Sequence, residues 1–391
     1  MKDLDLPLTP DFDPWPITAE ITQAHVLPDG NLRLVWSDHT SATYHCLLLA
    51  ENSPDPVTLH PLSRETVLSP LDFPEGLRIT EASTLPSGAL ALTFSDDVPR
   101  GPYHPGWLYA HGFTDKPNPA PTPILWRAED MPDPPSFDGP EALKNPAIFL
   151  DWLKALRDYG VARLQNLPNR DGLLEEILDK IGTIRPTNFG RMFTLEIQDD
   201  PTSNAYTSHA LPPHMDLCTR ECPPGLQFLF CRANTTTGGA GLYTDAYRVA
   251  EDIRAEDPAL FATLCEVEWT YNNRAKGTSY KASGPMVNLD AAGQISSVRY
   301  ETWLRAPLVA DLATQERAYA AYRAFAARAA DPKYCMEVRY EAGDLFAFDN
   351  RRALHGRSAY DAAGGARFIE GVYSDRDDLY SAIRVLERSL R

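Results

Sequence analysis

Apolar and polar positions alternate with a period of two in the first third of the chain, the signature of half-buried β-strands. Ile17–Val26, Leu32–Trp36 and Thr43–Leu49 are predicted strands, separated by the turn runs Pro28-Asp29-Gly30 and Ser37-Asp38-His39. Leu77–Thr80 and Ala89–Phe94 flank Pro86-Ser87-Gly88 in the same manner. Such spacing and turn chemistry predict a small, mostly antiparallel β-domain. A stretch dense in proline follows, Lys116 to Pro123 and then Met131 to Pro135, which implies a stiff, extended connection. The expected domains are therefore residues 1–125 and 126–391.

Beyond the connection the period lengthens. Apolar residues three and four apart predict helices over Asn145–Tyr159, Asp171–Ile181, Ala246–Leu264 and Ala310–Ala330. Between and after them, Gly160–Leu164, Leu226–Cys231, Glu266–Tyr271, Met336–Tyr340 and Leu345–Phe348 read as strands. A mainly β fold with a few covering helices, in which one strand carries a metal-binding pair, suggests a double-stranded β-helix, or jelly-roll, catalytic domain.

That pair is His214-Met215-Asp216. In a strand, residues i and i+2 face the same way, so one imidazole and one carboxylate can grip a common ion. His355 stands 141 residues later and Arg367 another 12 beyond it. Two histidines and one carboxylate are the facial set that binds iron(II) and leaves the opposite face open.

Charge and cysteine content narrow the options. The 391 residues carry a formal charge of −17, which excludes the basic footprint that nucleic acid requires and disfavours an anionic membrane. No apolar segment follows Met1-Lys2-Asp3-Leu4-Asp5 and no run of 18 apolar residues occurs. The six cysteines are therefore expected to be reduced, in a cytoplasm. Cys218 and Cys222 lack a second pair at zinc-finger spacing and are expected to be structural thiols.

Residues from about 140 onward resemble the taurine dioxygenase family of iron- and 2-oxoglutarate-dependent oxygenases, in particular its γ-butyrobetaine and trimethyllysine hydroxylase branch. The likeness rests on Ala205-Tyr206-Thr207, Leu211 to Asp216, Pro223 to Leu229, Gly238-Gly239, Gly343 to Asn350, Leu354 to Arg357, and Arg367 through Glu370-Gly371-Val372-Tyr373. The resemblance implies that His214, Asp216 and His355 hold iron(II), and that hydroxylation is coupled to conversion of 2-oxoglutarate into succinate and CO2. It also implies that Arg367 binds the distal carboxylate of 2-oxoglutarate, a task suited to a planar guanidinium. The run Gly238-Gly239-Ala240-Gly241 lacks the side-chain hydroxyl found in many relatives, so Arg357 or a backbone group is expected to assist.

Aligned motifs place Phe189, Phe193, Tyr206 and Tyr373 at the positions of an aromatic cage, which would attract a quaternary ammonium. In Arg299-Tyr300-Glu301-Thr302-Trp303, Glu301 occupies the place of an amide that meets the substrate's carboxylate in γ-butyrobetaine hydroxylases. A second cationic group on the substrate could face Glu301. Asn204, with Ser203, Arg191 and Arg299, could instead receive a carboxylate, phosphonate or sulfonate. The expected substrate is a small trimethylammonium zwitterion, a betaine or a trimethylammonio-phosphonate. The alternatives are a hydroxylase of a sulfonate, phosphonate or amino acid without a cage, and a non-catalytic ligand-binding protein. The branch's N-terminal zinc ligands are largely missing around Cys46, so no zinc is expected, and the resemblance implies a homodimer.

Overall fold

The structure is a computed structural model that describes residues 6–98, 100–113, 122–196, 207–273, 275, 277–361 and 364–390. Contacts divide the chain into two compact units, Met1–Ala120 and Pro121–Arg391.

In the first unit, Ile21–Val26, Leu32–Trp36 and Ser41–Tyr44 form one antiparallel sheet, and Ile79–Thr84, Leu90–Phe94 and Arg100–Tyr103 form another. Leu32, Leu34 and Trp36 are fully buried while Arg33 between them is exposed, the alternation expected of a sheet with one wet face. Expectation and structure part at Thr43–Leu49. The strand stops at Tyr44, and Cys46–Glu51 is a helix. His45 caps it, its Nδ1 accepting the Leu47 N–H at 3.2 Å, and the Leu-Leu-Leu-Ala run that follows is rich in good helix formers. His60 accepts the Ser63 N–H at 3.1 Å.

The second unit is built on two sheets. The six-stranded sheet runs Ser136–Asp138, Val161–Gln165, Leu345–Asp349, Leu226–Asn234, Arg367–Ser374, Phe193–Leu195, antiparallel except for its first pair. The four-stranded sheet runs Leu211–His214, Ala353–Arg357, Gly241–Asp245, Cys335–Val338, all antiparallel. Leu229, Cys231, Phe346, Phe348 and Ile369 of the first pack with Tyr243, Met336, Val338 and Tyr340 from the second. This sheet-on-sheet core is the jelly roll that the strand pattern suggests.

Helices cover it. Pro146–Tyr159 and Arg376–Ser389 lie together over the six-stranded sheet, burying Trp152, Leu153, Leu156, Leu379 and Ile383. The expected helix Ala246–Leu264 is two, Ala246–Glu256 and Pro258–Glu266. Pro258 has no N–H to continue the first, and the Asp257 carboxylate caps the second at Ala259 and Leu260. With Leu312–Ala329 they enclose a second core around Tyr271, Met286, Val298 and Phe325. Among the described residues, no helix is long and apolar enough to cross a membrane.

The element nearest the site is tied down by a buried ion pair. Arg352 directs Nε and Nη2 to Asp245 at 3.1 and 2.9 Å, and Nη1 to the Asp158 carbonyl at 2.8 Å. Both side chains are buried. Asp245 in turn caps the Ala246–Glu256 helix through the Tyr247 N–H at 3.1 Å. The turn Asp349–Arg352 is thereby locked immediately before the strand that carries His355.

Candidate active site

Strand pairing brings the distant histidine to the near one. Leu211–His214 lies antiparallel to Ala353–Arg357 with His214 directly opposite His355, and their rings are 4.3 Å apart. Asp216 does not sit on the strand, as the simple i, i+2 geometry would have it. The strand ends at His214, and Asp216 opens the turn beyond it, followed by Leu217 at φ 56°. Three hydrogen bonds hold this turn in place of a ladder. The Met215 N–H donates to the Tyr300 carbonyl at 2.8 Å, the Asp216 N–H donates to Asn350 Oδ1 at 2.9 Å, and Asn350 Nδ2 donates back to the Asp216 carbonyl at 3.0 Å.

The result is a convergent donor set. His214 Nε2 is 3.2 Å from Asp216 Oδ1 and His355 Nε2 is 3.6 Å from Asp216 Oδ2. One ligand atom from each of the three lies within 4.8 Å of the other two. His214 Nδ1 faces the Pro212 carbonyl at 2.9 Å, which can only accept, so Nδ1 carries the proton and Nε2 presents its lone pair. The Tyr373 hydroxyl donates to Asp216 Oδ2 at 2.7 Å, and Trp303 stands edge-on to His214 at 4.7 Å.

Protonation suits a cation. Burial works to raise the Asp216 carboxyl, but His355 and His214 beside it, with the Tyr373 hydroxyl, hold it well below the usual carboxylate range. Burial pushes His355 down to about 3, with His214 adding to the effect. Burial also works against a charged His214, and there the adjoining Asp216 prevails and raises it. A metal held by these three residues would take the place of that proton.

These residues lie on the wall of a cavity of about 690 Å³, counting its open mouth. Of the residues expected at the site, His214, Asp216, His355, Arg357, Arg367, Phe189, Phe193 and Tyr373 all line it. Phe189 and Phe193 have ring centroids 6.3 Å apart, and Phe193 and Tyr373 are 5.1 Å apart. Phe193 reaches its place because residue 371, opposite it in the ladder, is glycine; a Cβ there would come within 2.3 Å of the Phe193 ring. Asn204 and Tyr206, with Ser203, lie outside the described residues.

Arg367 has its Nε and Nη1 buried with no hydrogen-bond partner. An arginine in that condition fits a missing anion, since leaving a buried charged donor unpaired is costly. Its guanidinium lies 5.1 Å from the Tyr360 ring centroid. Arg357 differs: Nε donates to the His209 carbonyl at 3.3 Å and Nη2 to that of Thr207. Burial, then the nearby Arg367, pushes Arg357 down to about 10.

Glu301 is placed otherwise than expected. It is 1% exposed and does not line the cavity; its two carboxylate oxygens accept the N–H groups of Trp303 and Leu304, each at 2.6 Å. A buried carboxylate that closes a turn on itself is unavailable to a substrate, and its work is to set Trp303 against His214. Arg299 likewise faces inward, to the carbonyls of Cys218, Arg220 and Glu221. Arg191 lies 3.8 Å from Glu175, also off the cavity wall. Two polar lining residues had no assigned role in the sequence. Gln227 is buried with its Oε1 unpartnered, and Tyr340 is buried at the end of the cavity wall. Gln227 sits within a quoted motif and Tyr340 closes a predicted strand, but neither position alone says which way the side chain points.

Comparison with known proteins agrees with this geometry. The family model described as "Taurine catabolism dioxygenase TauD, TfdA family" matches residues 118–373, and "Gamma-butyrobetaine hydroxylase-like, N-terminal" matches residues 27–109. A gamma-butyrobetaine dioxygenase of Pseudomonas sp. (strain AK-1) is 35% identical over 381 residues, covering 97% of this chain and 99% of that protein. A mitochondrial trimethyllysine dioxygenase of Bos taurus is 28% identical over 271 residues, 67% of this chain and 64% of its own length. In fold, the chain is similar to the crystal structure of AAD-2 in complex with Mn(II) and N-oxalylglycine, with a TM-score of 0.50 at 13% identity over 64% of this chain and 97% of that one. With a match that spans both the metal triad and Arg367, the chain belongs to the TauD/TfdA family of dioxygenases.

Proposed function

We propose that this dioxygenase hydroxylates a small quaternary-ammonium zwitterion, a betaine or a trimethylammonio-phosphonate, with iron(II) and 2-oxoglutarate, releasing succinate and CO2. One observation carries the reading: the donor set, the unpaired Arg367 and the contiguous rings of Phe189, Phe193 and Tyr373 share a single cavity. The 35% identity to a gamma-butyrobetaine dioxygenase over nearly the whole chain supports the trimethylammonium class.

The residues divide the work. His214, Asp216 and His355 would hold the metal, and Arg367 would take the distal carboxylate of the 2-oxo acid and so fix its orientation. When bound, iron and the 2-oxo acid supply the oxygen activation that no side chain can perform. Tyr373 links the two functions: its hydroxyl restrains Asp216 while its ring continues the aromatic wall. Ring faces attract a cation that has no proton to donate, and they also exclude water from the C–H bond under attack.

The test is succinate formation with iron, 2-oxoglutarate and oxygen across a panel of trimethylammonium carboxylates and phosphonates. Absence of substrate-dependent succinate over the whole panel sinks the proposal. A sulfonate, phosphonate or amino-acid substrate bound without a cage is the second reading, favoured by the core-like 5.1 Å packing of Phe193 on Tyr373. In that case Phe189→Leu and Phe193→Leu leave substrate affinity unchanged.

The further expectations are a cytoplasmic homodimer whose N-terminal domain, residues 1–125 by the sequence reading, acts in packing and assembly and holds no zinc. Light scattering of the purified chain and its metal content, one equivalent per chain and none of it zinc, check them.

A further inference from the structure

Arg367 alone leaves part of a bound carboxylate without a protein donor. A carboxylate offers about four lone-pair positions, and two parallel N–H bonds from one guanidinium satisfy only half of them. A second donor on the same cavity wall would fix its orientation further. The nearby run Gly238-Gly239-Ala240-Gly241 has no side-chain donor, and Arg357 gives Nε and Nη2 to the carbonyls of His209 and Thr207.

Besides Tyr373, whose hydroxyl is given to Asp216, the described hydroxyl on that wall belongs to Tyr340, whose carbonyl accepts from Asn234, the ladder partner of Arg367. Its phenol is 4% exposed and lines the cavity. The ring is stacked on Phe346 at a centroid distance of 4.1 Å and an interplanar angle of 9°, which fixes the direction of the hydroxyl. Its seat depends on Gly241. A Cβ at that position would lie 2.6 Å from Tyr340 Cε1 and 3.4 Å from Tyr243 Cε2, so only glycine leaves room for the ring.

Tyr340 also has its own donor. Its hydroxyl is hydrogen-bonded to that of Tyr243, a fully buried residue that does not line the cavity. One proton serves that bond. If Tyr243 gives it, the proton of Tyr340 points onward to a ligand, and each bond in such a chain polarises the next. The electrostatics agree with this direction. Burial raises the Tyr340 phenol, while the Tyr243 hydroxyl and the charge of Arg367 act to lower it.

We propose that Tyr340, oriented by Tyr243 and admitted by Gly241, is the second donor to the distal carboxylate of the 2-oxo acid held by Arg367. The inference rests on the cosubstrate reading above, and its experiment separates the two. The protein, loaded anaerobically with Mn(II), is titrated calorimetrically with 2-oxoglutarate and with 2-oxobutyrate, which chelates a metal in the same way but lacks the distal carboxylate. Tyr340→Phe removes one oxygen atom and is expected to weaken 2-oxoglutarate at least about tenfold, as loss of a hydrogen bond to a charged group does. Affinity for 2-oxobutyrate should stay within about twofold. Tyr243→Phe should show the same selectivity with a smaller loss.

If Tyr340→Phe binds 2-oxoglutarate like the parent, or loses both acids equally, the proposal is overturned. Two further outcomes locate the failure. Binding that Arg367→Ala destroys and Tyr340→Phe leaves intact overturns Tyr340 alone, whereas a parent protein that does not bind 2-oxoglutarate overturns the cosubstrate reading as well.

Discussion

The Tyr373 hydroxyl that donates to Asp216 Oδ2 touches no metal position itself, yet it fixes which oxygen of the carboxylate is left for an ion. Groups of this kind commonly account for a ten- to hundredfold share of metal affinity. Tyr373→Phe should therefore weaken Mn(II) binding by about tenfold, read by calorimetry, with the melting temperature almost unchanged. His214→Ala should abolish measurable binding. At this scale the convergence of His214, Asp216 and His355 was legible from residue type and spacing, and the place of Arg367 on the cavity wall from the motif that resembles the family's. Tyr340 and Gln227 were not. Gln227 reaches the cavity through its pairing with Phe348 and Tyr373, far along the chain, and Tyr340 lies just past the strand that ends at Val338; nothing local marks the way either side chain faces. Glu301 shows the converse: its position suggested a substrate contact, and its two backbone bonds turn it inward.

Elements bring these residues together, and two of them are sensitive to a single change. Gly371 lets the Phe193–Leu195 strand lay an aromatic ring across Arg367–Ser374. Gly371→Ala should displace that ring and weaken binding of the trimethylammonium substrate several-fold, while affinity for 2-oxoglutarate remains; parallel titrations of both ligands decide it. Arg352 locks the turn before His355. Arg352→Ala strands a buried Asp245 carboxylate, and a loss of about 3–5 kcal/mol is expected in denaturant unfolding. The strands and helices named from periodicity lie close to observed elements, since burial on one face leaves a period of two or 3.6, but short strands such as Phe193–Leu195, Gly241–Asp245 and Ala353–Arg357 were not named. Two departures within the named runs have local causes. Pro258 and Asp257 split one apolar-periodic run into two helices, and the His45 cap turned an expected strand into the Cys46–Glu51 helix. Arg376–Ser389, absent from the sequence reading, buries Leu379, Ala382 and Ile383 on one face and pairs Glu387 with Lys154 at 2.7 Å.

The whole molecule has its own regularities. The second unit contains complete cores of its own around Trp152, Phe325 and Phe346. Residues 122–390 expressed alone should unfold in one cooperative transition by calorimetry, as domains with independent cores do. A broad, non-cooperative melt would count against that. The net charge of −17 made nucleic acid an improbable partner from composition alone, but it says nothing of the cavity, where the charge is locally positive.

That local reversal has a practical side. Arg357 and Arg367 face one cavity as neighbouring cations; burial, and then their repulsion, push Arg357 down to about 10. An anion bound between the two would offset that repulsion, and such binding would register as added thermal stability. Sulfate or phosphate in a purification buffer would then act as an unintended competitive inhibitor, masking cosubstrate affinity while making the preparation look better behaved. Activity screens on this chain belong in weakly coordinating, low-sulfate media.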